Sequence, residues 1–259
     1  MKIQLLRHAT TIIEFAGKRI LVDPVLSAAR VAKPIPTKKN GKRSRNPLVE
    51  IPIEKTELNR LINSVDAILI THTHLDHFDD LKGLFLPKSI QMFCQPEDVD
   101  ILKDIGFSYI KAIEFTLEWE GINIIRTKCN HGGKFLKRIM GKGSGYLLKA
   151  SGEKTLYITG DTIWCSLVED TIKLYNPKTI IIYGGAAQLP FGRSITMNEK
   201  DIEKVCETSK ESKKIIIHME AMNHCLLKRD RLRNYLHEAN FTNNIYIPND
   251  GEIIDLSID

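Results

Sequence analysis

Apolar positions along this chain gather into short runs that end at small or polar residues. Lys2 to Leu6, Thr11 to Phe15 and Arg19 to Val22 read as three strands, the last two joined by a hairpin turn at Ala16-Gly17-Lys18. Ala67 to Ile70, Thr179 to Tyr183 and Lys214 to Ile217 are nearly continuous aliphatic runs, as expected of buried strands. Ile90 to Cys94, Ile122 to Thr127, Gly145 to Lys149 and Lys154 to Thr159 add four more. Ile245 to Ile247 and Ile253 to Leu256 close the chain around a turn at Pro248-Asn249-Asp250-Gly251. Between the strands, helical spacing covers Glu54 to Asn63, Phe78 to Phe85, Pro96 to Ile105, Ser166 to Tyr175, Met197 to Ser209 and Lys228 to Glu238. Gly106 stops the third of these. Thr196 or Asn198 caps the fifth, with Glu199 supporting its first turn. Ser27 to Pro52, broken by four prolines, is a long loop of the kind that is usually functional or mobile.

Composition narrows this picture without deciding function. The 259 residues are 42% hydrophobic and 27% charged, ordinary for one large domain, taken here as residues 1–259. Charge enters too early at the N-terminus for a secretory signal or a membrane span. Cys94, Cys129, Cys165, Cys206 and Cys225 are scattered and odd in number, which fits free thiols and a cytoplasmic location. Much of the net charge of +5 lies in Lys33 to Arg45. That stretch is either a phosphate- or nucleic-acid-binding arm or a solvated loop. The lack of interleaved aromatics favours the loop. A second basic, glycine-rich stretch, Phe135 to Ser144, is either a solvent loop or a lid bringing cations to an anionic substrate.

The chemistry concentrates after the strand at Ala67 to Ile70, in Thr71-His72-Thr73-His74-Leu75-Asp76-His77. On extended backbone, residues two apart face the same way, so His72 and His74 can reach one ion together. Asp76 and His77 follow where the chain turns and can face a second. Imidazoles with carboxylates suit zinc, manganese or iron, and the absence of thiolates argues for an open, hydrolytic site. Three histidines and an aspartate buried without partners would be costly, so packing is a poor account of them. Further along, His131 precedes Gly132-Gly133, Asp161 sits in Thr159-Gly160-Asp161-Thr162, and His218 and His224 follow the strand at Lys214 to Ile217. Each of these alone is equally an ordinary turn or loop residue. Gly184-Gly185-Ala186-Ala187 suggests a floor where substrate meets backbone.

The run His72-x-His74-x-Asp76-His77 resembles the signature of the metallo-β-lactamase superfamily. The resemblance implies an α+β fold, an αββα sandwich of two mixed sheets with metals at one edge. It implies His72, His74 and His131 on one ion, Asp76, His77 and His218 on the other, and Asp161 bridging. His218, at a strand end, suits the final ligand better than His224, which becomes a candidate proton donor or substrate contact. Asp76 joins it as a candidate catalytic residue that receives a proton from water. The opening LRHATTIIEFAGKRILVDPVL and ITMNEKDIEKV resemble the branch containing L-ascorbate-6-phosphate lactonase and the N-acylphosphatidylethanolamine-hydrolysing phospholipase D. In that branch a Gly-His turn precedes a strand pair ending in Asp-Pro. Here Arg7 replaces the glycine, His8 follows it, and Asp23 is expected to hydrogen-bond a metal-binding histidine. The expectation is a metal-dependent hydrolase with one or two divalent transition metals, zinc first. Metal-bound hydroxide would attack a lactone, ester or phosphodiester of a small, anionic substrate. The competing expectation is a metal- or nucleic-acid-binding protein with little catalysis, using Lys38 to Arg45.

Overall fold

The computed structural model describes residues 1–38, 44–80, 85–131 and 142–256. In chain order the strands are β1 Lys2–Arg7, β2 Thr10–Phe15, β3 Lys18–Val22, β4 Ala67–Leu69, β5 Gln91–Cys94, β6 Ile110–Ala112 and β7 Thr116–Trp119, then β8 Ile122–Lys128, β9 Ser144–Ala150, β10 Leu156–Ile158, β11 Thr179–Tyr183, β12 Lys213–Ile217, β13 Ile245–Tyr246 and β14 Ile253–Asp255. The helices are α1 Lys55–Asn63, α2 Val99–Asp104, α3 Ser166–Tyr175, α4 Glu199–Thr208 and α5 Arg229–Glu238.

Two sheets of seven strands form, ordered β14-β1-β2-β3-β4-β5-β6 and β13-β12-β11-β10-β9-β8-β7. Each is half antiparallel and half parallel: β14 to β3 and β7 to β10 alternate, while β3 to β6 and β10 to β13 run together. The period of two sorts the aliphatic runs between layers. Ile13, Val22, Leu69, Ile181, Ile215 and Ile217 fill the space between the sheets. Their neighbours Ile12, Leu21, Ile68 and Ile70 face α1 and α2, while Ile180, Ile182 and Ile216 face α3, α4 and α5. Burial on both faces is why β4, β11 and β12 lack polar alternation. This is the αββα sandwich expected from the sequence.

The turn between β2 and β3 has Ala16 at φ 50° and Gly17 at φ 75°, the pair of left-handed residues that a two-residue hairpin of matching twist requires. α4 is capped by Asn198, whose side chain accepts from the backbone N–H of Lys200 and Asp201, and Asp201 returns a bond to the Asn198 N–H. Asp201, rather than Glu199, therefore closes the capping box. The helix expected at Phe78 to Phe85 is absent over 78–80, and residues 81–84 lie outside the described set. Pro96–Asp98 form a 3-10 turn that feeds α2. The sequence reading lacked β6 and β7, which are short strands at the far edges of their sheets.

Candidate metal centre

The parallel strands of both sheets end at one edge of the sandwich, and the candidate residues hang from those ends. β4 leads to Thr71 and His72. The chain then folds into a single tight turn in which His77 N and Phe78 N both donate to the His74 carbonyl at 2.8 Å. That turn presents His74, Asp76 and His77 together. From the second sheet, β8 runs out to His131, β10 to Asp161 and β12 to His218. Three groups result, each with donor atoms within 4.8 Å of one another: His72, His74 and His131; His8, Asp76, His77 and His218; and His72, His77 and Asp161.

Asp161 faces the first two of these groups. Its Oδ1 is 3.3 Å from Nε2 of His77 and of His218, and its Oδ2 is 3.6 Å from Nδ1 of His131 and 4.0 Å from Nε2 of His72. All seven residues expected to hold metal are thus brought to one place, with Asp161 between the two groups.

The hydrogen bonds behind these rings decide which nitrogen faces the site. The buried Asp23 carboxylate accepts from Thr71 N at 2.8 Å, Thr71 Oγ1 at 2.7 Å, Tyr183 Oη at 2.8 Å and His77 Nδ1 at 2.8 Å. His77 therefore keeps a proton on Nδ1 and turns Nε2 inward, where a cation would take the place of its second proton. Because the Thr71 hydroxyl already donates to Asp23, it accepts from His72 Nδ1 at 3.1 Å, leaving His72 Nε2 bare. His131 Nδ1 donates to the Ile195 carbonyl at 3.1 Å, with the same effect. The buried Nε2 atoms of His72 and His131 make no hydrogen bond among the described residues. Nε2 of His77 and of His218 lie 3.1 Å apart. Buried lone pairs converging without donors fit a cation.

Electrostatics agree. Burial pulls His72, His131 and His218 below the usual histidine range, so these imidazoles are neutral. Burial also acts to lower His77, but Asp161, Asp76 and Asp23 outweigh it and leave the group well above that range, so Nε2 holds a proton that a bound cation would displace. Asp76 and Asp161 would be raised by burial, yet the surrounding histidines, His77 foremost, hold both well below the ordinary carboxylate value.

His224 is buried rather than a surface loop residue, and its Nε2 lies 3.2 Å from Asp76 Oδ2. Both border a cavity of about 220 Å³ together with His74, His131 and Asp161, its remaining walls being Ile35, Leu75, Leu189 and Ile195. Ile35 comes from the long segment 27–52, whose described residues pack down rather than standing off. Asn223 Oδ1 accepts from Ile35 N at 3.0 Å and from Asn46 Nδ2 at 2.7 Å, while Asn223 Nδ2 donates to the Ile35 carbonyl at 2.9 Å. Arg7, fully buried, donates to the carbonyls of Val25, Ser27 and Val49 at 2.8 to 3.0 Å. Its side chain holds the segment where a glycine would leave it loose. His237 is exposed on α5.

One expectation needs correcting. Gly184 and Gly185 do not floor a substrate site. A Cβ on Gly185 would lie 2.0 Å from the His218 carbonyl oxygen, and one on Gly184 would lie 2.6 Å from Ile216 Cγ2. The glycines let β11 approach the end of β12 that carries His218.

The Beta-lactamase superfamily domain matches residues 18–219, a span that carries every one of the seven expected donors. The chain belongs to the beta-lactamase superfamily. Within it, the chain is 38% identical to the UPF0173 protein YddR of Bacillus subtilis (strain 168) over 254 residues, covering 97% of this chain and 98% of that one. Among solved structures, a possible metal-dependent hydrolase from Veillonella parvula DSM 2008 superposes with a TM-score of 0.93 at 31% identity over 99% of each chain. An isothiocyanate hydrolase from Delia radicum gut bacteria superposes with a TM-score of 0.92 at 29% identity, again over 99% of each chain. Seen against the superfamily signature, His8 and His224 are the additions. The sequence offered no metal role for His8, because its placement beside the site depends on the His218 N–H donating to its carbonyl, a contact more than two hundred residues apart. No helix among the described residues is long and apolar enough to cross a membrane.

Proposed function

We propose that this protein is a metal-dependent hydrolase. One ion would be held by His72, His74 and His131, a second by Asp76, His77 and His218, and Asp161 would lie between them. Zinc suits this imidazole and carboxylate set best, with manganese and iron compatible. The observation that carries the reading is the convergence of buried, bare ring nitrogens on the two faces of one carboxylate, at the head of a small cavity. Bound divalent metal would supply Lewis acidity and water activation near neutral pH.

The protein's own groups then divide the work. Asp23, through His77 and Thr71, fixes two rings in the tautomer that faces inward. Asp76 Oδ2 and His224 Nε2 form a proton-handling pair at the cavity wall. Asp76 suits taking a proton from the attacking water. His224, whose Nδ1 is uncommitted among the described residues, suits returning one to the leaving group.

The walls favour an electrophilic carbon with an apolar substituent. Ile35, Leu75, Leu189 and Ile195 offer no charge, and Leu75 also borders a second cavity of about 370 Å³ walled by Val25, Val31, Pro47, Phe85 and Met222, where the charged residues Asp79 and Asp80 are acidic. An ester, a lactone or an isothiocyanate fits such walls, the last being the substrate class in the name of one relative. A phosphodiester or anionic substrate calls for Arg or Lys clamps. Lys142 pairs with Glu97 at 2.7 Å, Arg45 hydrogen-bonds the carbonyls of Arg30 and Val31, and neither they nor Lys33 and Lys38 line the small cavity. Residues 39–43 and 132–141, which hold the other basic residues Lys39, Lys42, Arg43, Lys134, Lys137 and Arg138, lie outside the described set.

The test is a metal-quantified preparation assayed on an aryl ester, a lactone, an isothiocyanate and a phosphodiester, alongside His218→Ala and His224→Ala. Turnover should favour the carbon electrophiles. His218→Ala should lose metal and activity, whereas His224→Ala should keep metal and lose kcat. Full activity after complete metal removal would end the hydrolase reading. Metal lost with His224 and kept without His218 would exchange the two roles.

A further inference from the structure

We infer that His8 is a fourth side-chain donor to the metal position bounded by Asp76, His77 and His218, and that this position is closed while the other is open. The inference rests on the metal-dependent reading above and adds one residue to its seven donors.

His8 lies between β1 and β2, fully buried, and neither ring nitrogen makes a hydrogen bond among the described residues. Its Nε2 is 3.8 Å from Asp76 Oδ2, too long for a hydrogen bond, yet it falls in the group of donor atoms that all lie within 4.8 Å. If the ring served only to fill space, an apolar side chain would do so without stranding two polar atoms.

The backbone is bent to put it there. His8 has φ 61° and His218 φ 67°, both left-handed and both non-glycine, a conformation that costs energy and persists where surrounding structure enforces it. The two are tied directly, His218 N donating to the His8 carbonyl at 2.9 Å, and their rings approach to 3.8 Å between centroids. Strain at two residues in different sheets thus serves one juxtaposition of imidazoles.

The asymmetry follows from the cavity. His74 and His131 of the first group line it; His8, His77 and His218 do not. Counting Asp161 Oδ1, the second position has five protein donors and reaches the cavity only through its carboxylates. The first has three imidazoles and Asp161 Oδ2, and it faces the space where a substrate would sit. Closed donor sets hold metal for structure, and sets that keep a free position do chemistry.

Zinc titration of stripped wild-type protein and of His8→Ala and His8→Gln, followed by calorimetry and elemental analysis, tests this. The wild type should show two classes of site, the tighter one weakened at least about tenfold in both variants, with the weaker class unchanged. Both classes unchanged in the variants would overturn the role of His8 while leaving the metal reading intact. No zinc bound by the wild type would overturn that reading and this inference together. Should the variants fail to fold, nitrogen resonances of labelled histidines in the wild type decide. The His8 signal must shift as the tight class fills, and a signal that stays put overturns the assignment.

Discussion

Gly185 matters because of what its missing side chain allows. Its α-carbon abuts the carbonyl of His218, so that a methyl group there would overlap an oxygen at 2.0 Å. Backbone cannot swing aside as a flexible side chain can, so Gly185→Ala must move His218 or the end of β11. The expected result is a protein that folds and loses affinity for one metal by about 10- to 100-fold, the range seen when a supporting partner of a ligand is removed. Elemental analysis after dialysis checks it, and unchanged metal content would show that the strand end yields. The sequence showed two glycines after a strand and suggested a substrate floor; only the pairing of β11 with β12 reveals that the neighbour is a ligand's own backbone. His72, His74, Asp76 and His77 were readable because they sit within one short stretch. His8 was legible only as the histidine of a turn that resembles the branch's, since nothing in the sequence places it beside His218.

At the scale of elements, the aliphatic runs of β4, β11 and β12 were legible because both faces are covered and the pattern has no polar interruption. β6 and β7 escaped because edge strands of mixed exposure carry no such run. The Ser27–Pro52 segment was legible as irregular but not as a wall. Its position depends on Arg7 from β1 and on Asn223 from beyond β12, both distant in sequence. Asn223→Ala would leave the Asn46 amide and the Ile35 backbone groups without their partner. Buried polar groups so stranded cost about 1–3 kcal/mol each in the worst case. Denaturant unfolding should show a loss of about 2 kcal/mol, and KM should rise more than kcat falls because Ile35 is a cavity wall. A loss of stability with KM unchanged would mean that the segment does not shape substrate binding.

For the whole molecule, the donors straddle the seam: His8, His72, His74, Asp76 and His77 come from the first sheet, and His131, Asp161 and His218 from the second. Metal held there would clip the two halves together. Chelation should therefore lower stability by about 4 kcal/mol if free metal stands a thousandfold above its Kd, or a fall in Tm on the order of 10 °C. Scanning calorimetry with and without chelator measures this, and identical melting would show that the sandwich is indifferent to its metals. A different consequence comes from the first sheet, where β14 pairs with β1, Lys2 opposite Asp255. β1 waits for a partner strand that lies more than two hundred residues further along the chain. Throughout synthesis the outer rim of β1 therefore offers unpaired N–H and C=O groups, the kind of template that recruits other chains. Closing a contact so distant in sequence carries a large entropic cost and comes late in folding. The newborn chain depends on whatever shelters that rim on and after the ribosome, and joining β14 to β1 by a short turn would make the same contact local.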